Sequence, residues 1–131
     1  MLELLKIVKL EHLNLDYVIQ EDSTNLSGGE KQRLSLAFYL SKSYDFYIFD
    51  EITSNIDIES EEIILDIIKE ISETKIVLMI SHRLKSTSYS THIYYLDNGQ
   101  IVCDGDFDTL LNDDNKFKEL YETQQKLEVI A

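Results

Sequence analysis

Two adjacent carboxylates in the middle of the chain are the residues best suited to chemistry. The run Tyr47-Ile48-Phe49 has the aromatic and β-branched character of a strand, and Asp50-Glu51 follow at its C-terminal end. Open α/β sheets bind ligands at this end of their strands. Asp50 is suited to hold Mg²⁺ through water, and Glu51 to orient or deprotonate an attacking water. Taken alone, an apolar run ending in Asp-Glu is more often a pair of turn carboxylates.

A serine and two glycines form a second candidate site, for an anion. Ser27-Gly28-Gly29-Glu30 fits a capping box, in which Ser27 caps a helix and Glu30 reaches back to it. Successive glycines let backbone amides approach a phosphate closely, and a helix N-terminus favours an anion. Ser27 adds a hydroxyl donor. On its own, the same segment is more often an ordinary helix cap with a flexible entry.

A histidine follows the next predicted strand. Ser81-His82-Arg83 come directly after Lys75–Ile80, and a histidine in that place can donate to a phosphate oxygen or hold a catalytic carboxylate. A single histidine is usually a surface or core residue, so His82 gains weight from its neighbours in the pattern. His12 and His92 lack such a context and are interpreted as structural.

Helices and strands alternate along the chain around these residues, which predicts an α/β architecture. Helices are predicted at 1–14, from Ser27 to about Ser41, at 59–72 with Asp57 as the cap, at 107–111 and at 116–126. Residues 16–26 are predicted to be a loop. Strands are predicted at Phe46–Phe49 and Lys75–Ile80, both buried, and in a hairpin of Ile93–Leu96 and Gln100–Val102 around Asn98-Gly99.

Composition restricts the possible classes of function. The 131 residues suffice for one domain, and their hydrophobic content of 44% allows a packed core. A formal net charge of −13 disfavours nucleic acid as a partner. The lone Cys103 cannot form an internal disulfide, and no apolar stretch approaches the roughly 20 residues that span a bilayer. The N-terminus lacks the form of a signal peptide.

The order of these motifs resembles that of the ATP-binding cassette (ABC) ATPases. Leu26–Arg33 resembles the signature motif, the strand ending in Asp50-Glu51 the Walker B motif, Thr53–Asp57 the D-loop and Ser81-His82 the H-loop. The resemblance covers essentially the whole chain. Its tail, with Phe117–Tyr121, looks most like the exporter branch of the family.

The resemblance implies a fold and a domain organisation. The expected fold is a partial P-loop NTPase (RecA-like) core, with parallel strands, flanking helices and a C-terminal β-hairpin, plus a remnant of the helical subdomain. Residues 1–41 would be that remnant with the signature helix. Residues 42–131 would carry the Walker B motif, D-loop, H-loop and C-terminal segment.

The resemblance also implies partners and residue roles. Two nucleotide-binding domains would pair head to tail, each ATP lying between one domain's Walker A loop and the other's signature, beneath a transmembrane domain at the cytoplasmic face of the membrane. The implied roles are ATP binding in trans by Ser27, Gly28, Gly29 and Glu30, Mg²⁺ binding by Asp50, catalysis by Glu51 and His82, and bridging of the two sites by Asp57.

The sequence departs from the family pattern at two points. Ile52 stands where the family usually has proline, for which we expect a softer loop with the carboxylates intact. No G-x-x-x-x-G-K-[ST] phosphate loop occurs, and 26 residues precede Ser27. We therefore expect a C-terminal fragment that starts within the helical subdomain, binds ATP weakly or not at all alone, lacks ATPase activity alone and self-associates.

Two other interpretations remain open. The chain could be a stand-alone, non-catalytic module that lends its signature to a full-length partner or regulates that partner. It could also be the C-terminal lobe of an SMC-like chromosome ATPase. Residues 1–14 show no sustained heptads, and the negative charge argues against DNA binding, so the SMC-like reading is the weakest.

Overall fold

The computed structural model describes residues 2–20 and 24–130, which form two compact units, Met1–Ser81 and His82–Ala131. The first unit contains α1 (Leu2–Ile7), α2 (Gly28–Leu40), β1 (Phe46–Asp50), α3 (Ile58–Ser72) and β2 (Ile76–Ile80). The second contains a 3₁₀-helix (Leu84–Tyr89), β3 (Ile93–Asp97), β4 (Gln100–Gly105), α4 (Phe107–Asn112) and α5 (Lys116–Ile130). Among the described residues, no helix is both long and apolar enough to cross a membrane. The mixed α/β architecture is confirmed.

Strands β1 and β2 are parallel and are joined through α3. Phe46 pairs with Ile76 at one end of the ladder and Asp50 with Ile80 at the other. On one face of this sheet Tyr47 and Phe49 are buried, whereas on the other face Ile48 is 59% exposed. The prediction that both strands are buried is therefore wrong for this second face, because the core of the first unit packs against the other face alone.

The core of the first unit joins its helices to the buried face of the sheet. Residues before and after position 41 contribute to it together. Its buried members are Leu5, Val8, Leu10, Leu13, Leu26, Leu36, Ala37, Tyr47, Phe49, Ile64, Ile67 and Ile68. The division into segments 1–41 and 42–131 stays a prediction, since it concerns subdomains of a family and not this packing.

The first helix is much shorter than the predicted span 1–14, of which Met1 lies outside the described residues. It ends at Ile7, and Lys9 follows with a left-handed φ of 55°. Leu10 N–H donates to the Leu5 carbonyl at 2.8 Å, and Lys9 N–H to the Lys6 carbonyl at 3.0 Å. This bonding is a Schellman motif, which satisfies the last carbonyls and buries Leu10 near Leu5. The left-handed position of this motif is normally glycine, so a lysine there does not indicate where the helix ends.

The other predictions for the first unit hold where the structure describes them. Helix α2 begins after Ser27, and α3 begins after Asp57, whose carboxylate accepts a hydrogen bond from Ser60 N–H. Residues 16–20 and 24–26 contain no helix or strand, as expected for a loop, and residues 21–23 of that prediction lie outside the described part.

The second unit packs a β-hairpin against its helices. β3 and β4 are antiparallel around Asn98 and Gly99, with φ values of 48° and 76°, which confirms the predicted tight turn. The two C-terminal helices are also confirmed. The 3₁₀-helix was not predicted. The buried core of this unit consists of Leu84, Ile93, Leu110 and Phe117.

Candidate functional site

The two central carboxylates lie where the sheet ends. Asp50 is the last residue of β1 and is exposed, and Glu51 is half-buried in the turn that follows. Glu51 N–H donates to the Ile80 carbonyl at 2.9 Å, and the Glu51 carbonyl accepts from Ser54 N–H at 2.9 Å. These bonds fix the backbone of Glu51 against the end of β2. The structure therefore places both carboxylates at the carboxyl edge of a parallel pair of strands, where such sheets bind ligands.

Glu51 has a left-handed backbone with φ of 51°. Residues other than glycine adopt this conformation at a cost of about 1 kcal/mol or more, and such residues cluster at functional sites. The neighbouring Ile52 is half-buried beside the core. The strand thus turns sharply at the residue predicted to be the catalytic base.

The predicted capping box is complete. Glu30 N–H donates to Ser27 Oγ at 3.2 Å, and Ser27 N–H donates to Glu30 Oε2 at 2.8 Å. The hydrogen bond from the Ser27 backbone is the main cause that lowers the pKa of Glu30. Glu30 Oε1 also lies 2.8 Å from Nε2 of His12. His12, interpreted from sequence as structural, thus supports the cap.

The amides of Gly28 and Gly29 are the donors that remain at this helix N-terminus. Within the described part of the chain neither has an acceptor, whereas Lys31 N–H already donates to the Ser27 carbonyl at 3.0 Å. Gly28 is exposed and Gly29 is buried. Free amides at the start of a 13-residue helix attract an anion through both hydrogen bonding and the helix dipole.

The segment Thr53–Asp57 lies against this glycine turn. A Cβ on Gly28 would be 3.5 Å from the Asn55 carbonyl oxygen, and one on Gly29 would be 3.0 Å from Asp57 Oδ2. Thr53 is buried, and Asp57 caps α3 through Ser60 N–H at 2.8 Å. That hydrogen bond is the main cause that lowers the pKa of Asp57. The glycine turn and the segment Thr53–Asp57, which are distant in sequence, are therefore in contact.

Two residues of this contact were missed by the sequence reasoning. Arg33 is 9% exposed, and its Nη1 donates to Ser60 Oγ at 2.6 Å. Ser60 itself is 3% exposed. Arg33 lies one helical turn after Gly29, which places both on the same face of α2. That spacing was the available signal, but it does not reveal a partner 27 residues away.

His82 belongs to the second unit and is exposed. Its carbonyl accepts from Gln124 Nε2 at 2.9 Å, and Gln124 Oε1 accepts from Leu84 N–H at 3.2 Å. Helix α5 thereby holds the backbone on both sides of Arg83. The predicted catalytic role of His82 with Asp50 and Glu51 stays a prediction.

The donor set fits a metal ion that takes most of its ligands from elsewhere. Within the described ranges 2–20 and 24–130, no group of three His, Cys, Asp or Glu side chains is arranged to hold a metal ion. Mg²⁺ characteristically uses one or two carboxylates and completes its shell with water and substrate phosphates. The exposed carboxylate of Asp50 suits that mode.

Comparison with known proteins gives a consistent result. The sequence profile of the family described as "ABC transporter" matches residues 1–54. An uncharacterized ABC transporter ATP-binding protein of Haemophilus influenzae is 42% identical over 116 residues, which cover 88% of this chain and 21% of that protein. An ATP-dependent lipid A-core flippase of Haemophilus ducreyi is 39% identical over 118 residues, covering 90% and 20%.

A solved structure supports the same assignment. A bacterial Atm1-family ABC exporter with ATP bound matches with a TM-score of 0.80 and 30% sequence identity, over 93% of this chain and 22% of the exporter chain. The chain thus spans about a fifth of the length of the relatives it matches. The chain belongs to the ABC transporter family, and it corresponds to part of an exporter-type ATP-binding domain.

Proposed function

We propose that this chain is the C-terminal part of the ATP-hydrolysing domain of an ABC exporter and couples ATP hydrolysis to transport in the complete protein. The observation that best supports the proposal is the edge formed by Asp50 and Glu51 at the end of β1, with Glu51 N–H bonded to the Ile80 carbonyl. A parallel sheet edge with two carboxylates suits hydrolysis of a metal-bound phosphate.

Each carboxylate has its own task in this proposal. Asp50, exposed at the strand end, holds Mg²⁺, which would neutralise charge on the phosphates. Glu51 orients the attacking water and accepts its proton. Because its backbone is hydrogen-bonded at both N–H and carbonyl, Glu51 presents its carboxylate from a fixed position. Preorganisation of this kind favours catalysis.

The glycine turn serves a second nucleotide, held by a partner domain in a head-to-tail dimer. Ser27 Oγ accepts from Glu30 N–H, and a side-chain hydrogen bond from Ser27 to the Glu30 carboxylate contributes to the lowered pKa of Glu30. The amides of Gly28 and Gly29 offer two donors to one phosphate, and the Ser27 hydroxyl would add a third by turning from Glu30 to the phosphate. Glu30 contributes by holding the Ser27 backbone.

The remaining predicted roles complete the assembly. His82 donates to the phosphate from its own subunit, and Asp57 and its loop bridge the two sites. The partners are the second nucleotide-binding domain and a transmembrane domain, so the proposed location is the cytoplasmic face of a membrane. The lipid A-core flippase relative is named for one such transport activity, but the substrate of this chain would be selected by membrane helices.

A second candidate function follows from the missing Walker A sequence. No G-x-x-x-x-G-K-[ST] segment occurs in the 131 residues. As a non-catalytic module, the chain would bind the partner's nucleotide through Ser27, Gly28 and Gly29. Glu51 would then have no catalytic role.

A chimera separates the two candidates. The chain would be joined to the preceding, Walker A-containing part of the Haemophilus influenzae relative's ATP-binding domain, and ATP turnover measured. We expect turnover that falls about 100-fold or more in Glu51→Gln, because the general base is lost. Glu62→Gln, an exposed position on α3, is the matched control.

The unextended chain provides the second arm. It would be mixed with a full-length exporter-type domain that carries its own Walker A loop but an inactivated signature. If the chain restores turnover there and Glu51→Gln makes no difference in the chimera, the non-catalytic module is correct and the proposed hydrolytic role is wrong.

A further inference from the structure

The two glycines of the turn differ in what surrounds them. A Cβ on Gly28 would meet the Asn55 carbonyl oxygen at 3.5 Å, an ordinary van der Waals contact. A Cβ on Gly29 would overlap Ser60 Oγ and lie 2.5 Å from Ser60 Cβ. Gly29 is therefore required by the approach of α3 to α2 within this chain, quite apart from any ligand.

The hydroxyl that crowds Gly29 is itself held by a buried charge. Arg33 Nη1 donates to Ser60 Oγ at 2.6 Å, and both residues are nine-tenths or more buried. Arg33 Nε has no hydrogen-bond partner among the described residues. Burial of a guanidinium with an unpaired N–H costs free energy, and loss of the bond to Ser60 would add to that cost. The hydrogen bond to Ser60 therefore contributes strongly to fixing Arg33 against α3.

The same serine is tied to the loop that precedes α3. Ser60 N–H donates to Asp57 Oδ1 at 2.8 Å, so one residue connects Arg33 on α2 with the cap at the end of the 53–57 loop. The positive charge of Arg33 also contributes to the lowered pKa of Asp57, after the hydrogen bonds from Ser60. Arg33 on α2 and the cap at Asp57 are thus linked by charge as well as by packing.

We propose that Gly29, Arg33 and Ser60 form a joint that fixes the glycine turn against the loop 53–57, so that the two segments move as one body. Arg33 and Ser60 are positioning residues, since they act through the turn and the loop. The contacts of the joint are all made within this chain and do not depend on a bound nucleotide. Its relevance to phosphate placement rests on the proposed function.

Amide hydrogen exchange on the intact 131-residue chain tests the joint. We expect Ser60→Ala to speed exchange of the Ser27 and Glu30 amides about tenfold, because a hydrogen bond to a buried charged group is lost. The amides of residues 64–68, in the buried middle of α3, should change less than twofold. Ser72→Ala is the control, since that hydroxyl bonds only to Lys69 of its own helix in the described structure.

Uniform acceleration of all these amides would indicate general destabilisation and would overturn the joint, as would no change at Ser27 and Glu30. A second comparison covers variants that fold poorly. Gly29→Ala should lower the urea midpoint clearly more than Gly28→Ala, and Ser60→Gly should recover part of that loss in the double variant by removing the overlapping atoms.

Equal effects of the two glycine substitutions, or strict additivity with Ser60→Gly, would contradict the proposal. Both measurements are made without ATP. Failure of the joint therefore leaves the hydrolytic proposal to its own test, and failure of that proposal leaves the joint intact.

Discussion

Ile48 of β1 lies opposite Leu78 of β2, and the two side chains are 59% and 46% exposed. They share their face of the sheet with further exposed apolar residues, Phe46, Ile76 and Ile80. A contiguous apolar surface of this kind on a small unit favours association.

We predict that the isolated chain self-associates through this face. The double substitution Ile48→Lys and Leu78→Lys should shift the chain towards monomer in size-exclusion chromatography with light scattering. The reason is that charge replaces apolar area that association would bury. Val18→Lys, at a side chain 78% exposed outside the sheet, should leave the mass unchanged. A wild-type chain that stays monomeric at every concentration would contradict this prediction.

The cap of α3 can be tested by stability. Asp57 Oδ1 accepts from Ser60 N–H at 2.8 Å, and loss of such a cap leaves a helix amide without its acceptor. Asp57→Ala should therefore lower the free energy of unfolding in urea. Asp57→Asn keeps an acceptor and should cost clearly less. Equal losses in both variants would show that the negative charge, rather than the hydrogen bond, is decisive.

Acid should destabilise the first unit through its helix caps. Hydrogen bonds from Ser27 lower the pKa of Glu30 in the folded state, and hydrogen bonds from Ser60 lower the pKa of Asp57. A carboxyl with a lowered folded pKa stabilises the fold above its unfolded pKa, near 4, and loses that contribution as the pH falls through the folded pKa.

Urea midpoints measured between pH 7 and pH 2.5 check this expectation. The urea concentration at the midpoint should decrease at pH values below about 4. Glu30→Gln should make this decrease with pH less steep, since glutamine can still cap the helix but does not titrate. Glu62→Gln, at an exposed position on α3, should leave the slope as it is. A fall that is unchanged by Glu30→Gln would assign the acid sensitivity to other groups.

The hairpin of the second unit depends on its turn. Gly99 has φ of 76°, a left-handed conformation that alanine adopts at a cost. Gly99→Ala should lower the thermal stability of the second unit by about 1 kcal/mol, whereas Gly99→Asn should cost less because asparagine tolerates this region. Circular dichroism melting curves would measure both. Identical melting curves for the two variants would contradict the argument.

Local chemistry explains which parts of the fold could be predicted. Ser27 with Glu30, and Asn98 with Gly99, act within four residues of each other, so their sequence alone specifies a cap and a turn. The stop of α1 at Lys9 could not be predicted, because a lysine took the left-handed position that glycine normally marks.

Long-range packing explains most of what was missed. The apolar sequence of β1 predicts a strand but does not specify how many of its faces this chain covers, and Ile48 proved exposed. Arg33 and Ser60 are 27 residues apart, and nothing in either local sequence predicts their hydrogen bond. The position of Asp50 and Glu51 at the sheet edge was predictable, because the two carboxylates directly follow the apolar run that forms β1.

The left-handed backbone at Glu51 has a consequence for which amino acids this position tolerates. Asparagine and glycine fit such a backbone readily, whereas valine, isoleucine and threonine are strongly disfavoured by their branched Cβ. A saturation library at position 51 should therefore show two superimposed filters, one set by main-chain geometry and visible in the yield of folded protein, the other set by the carboxylate.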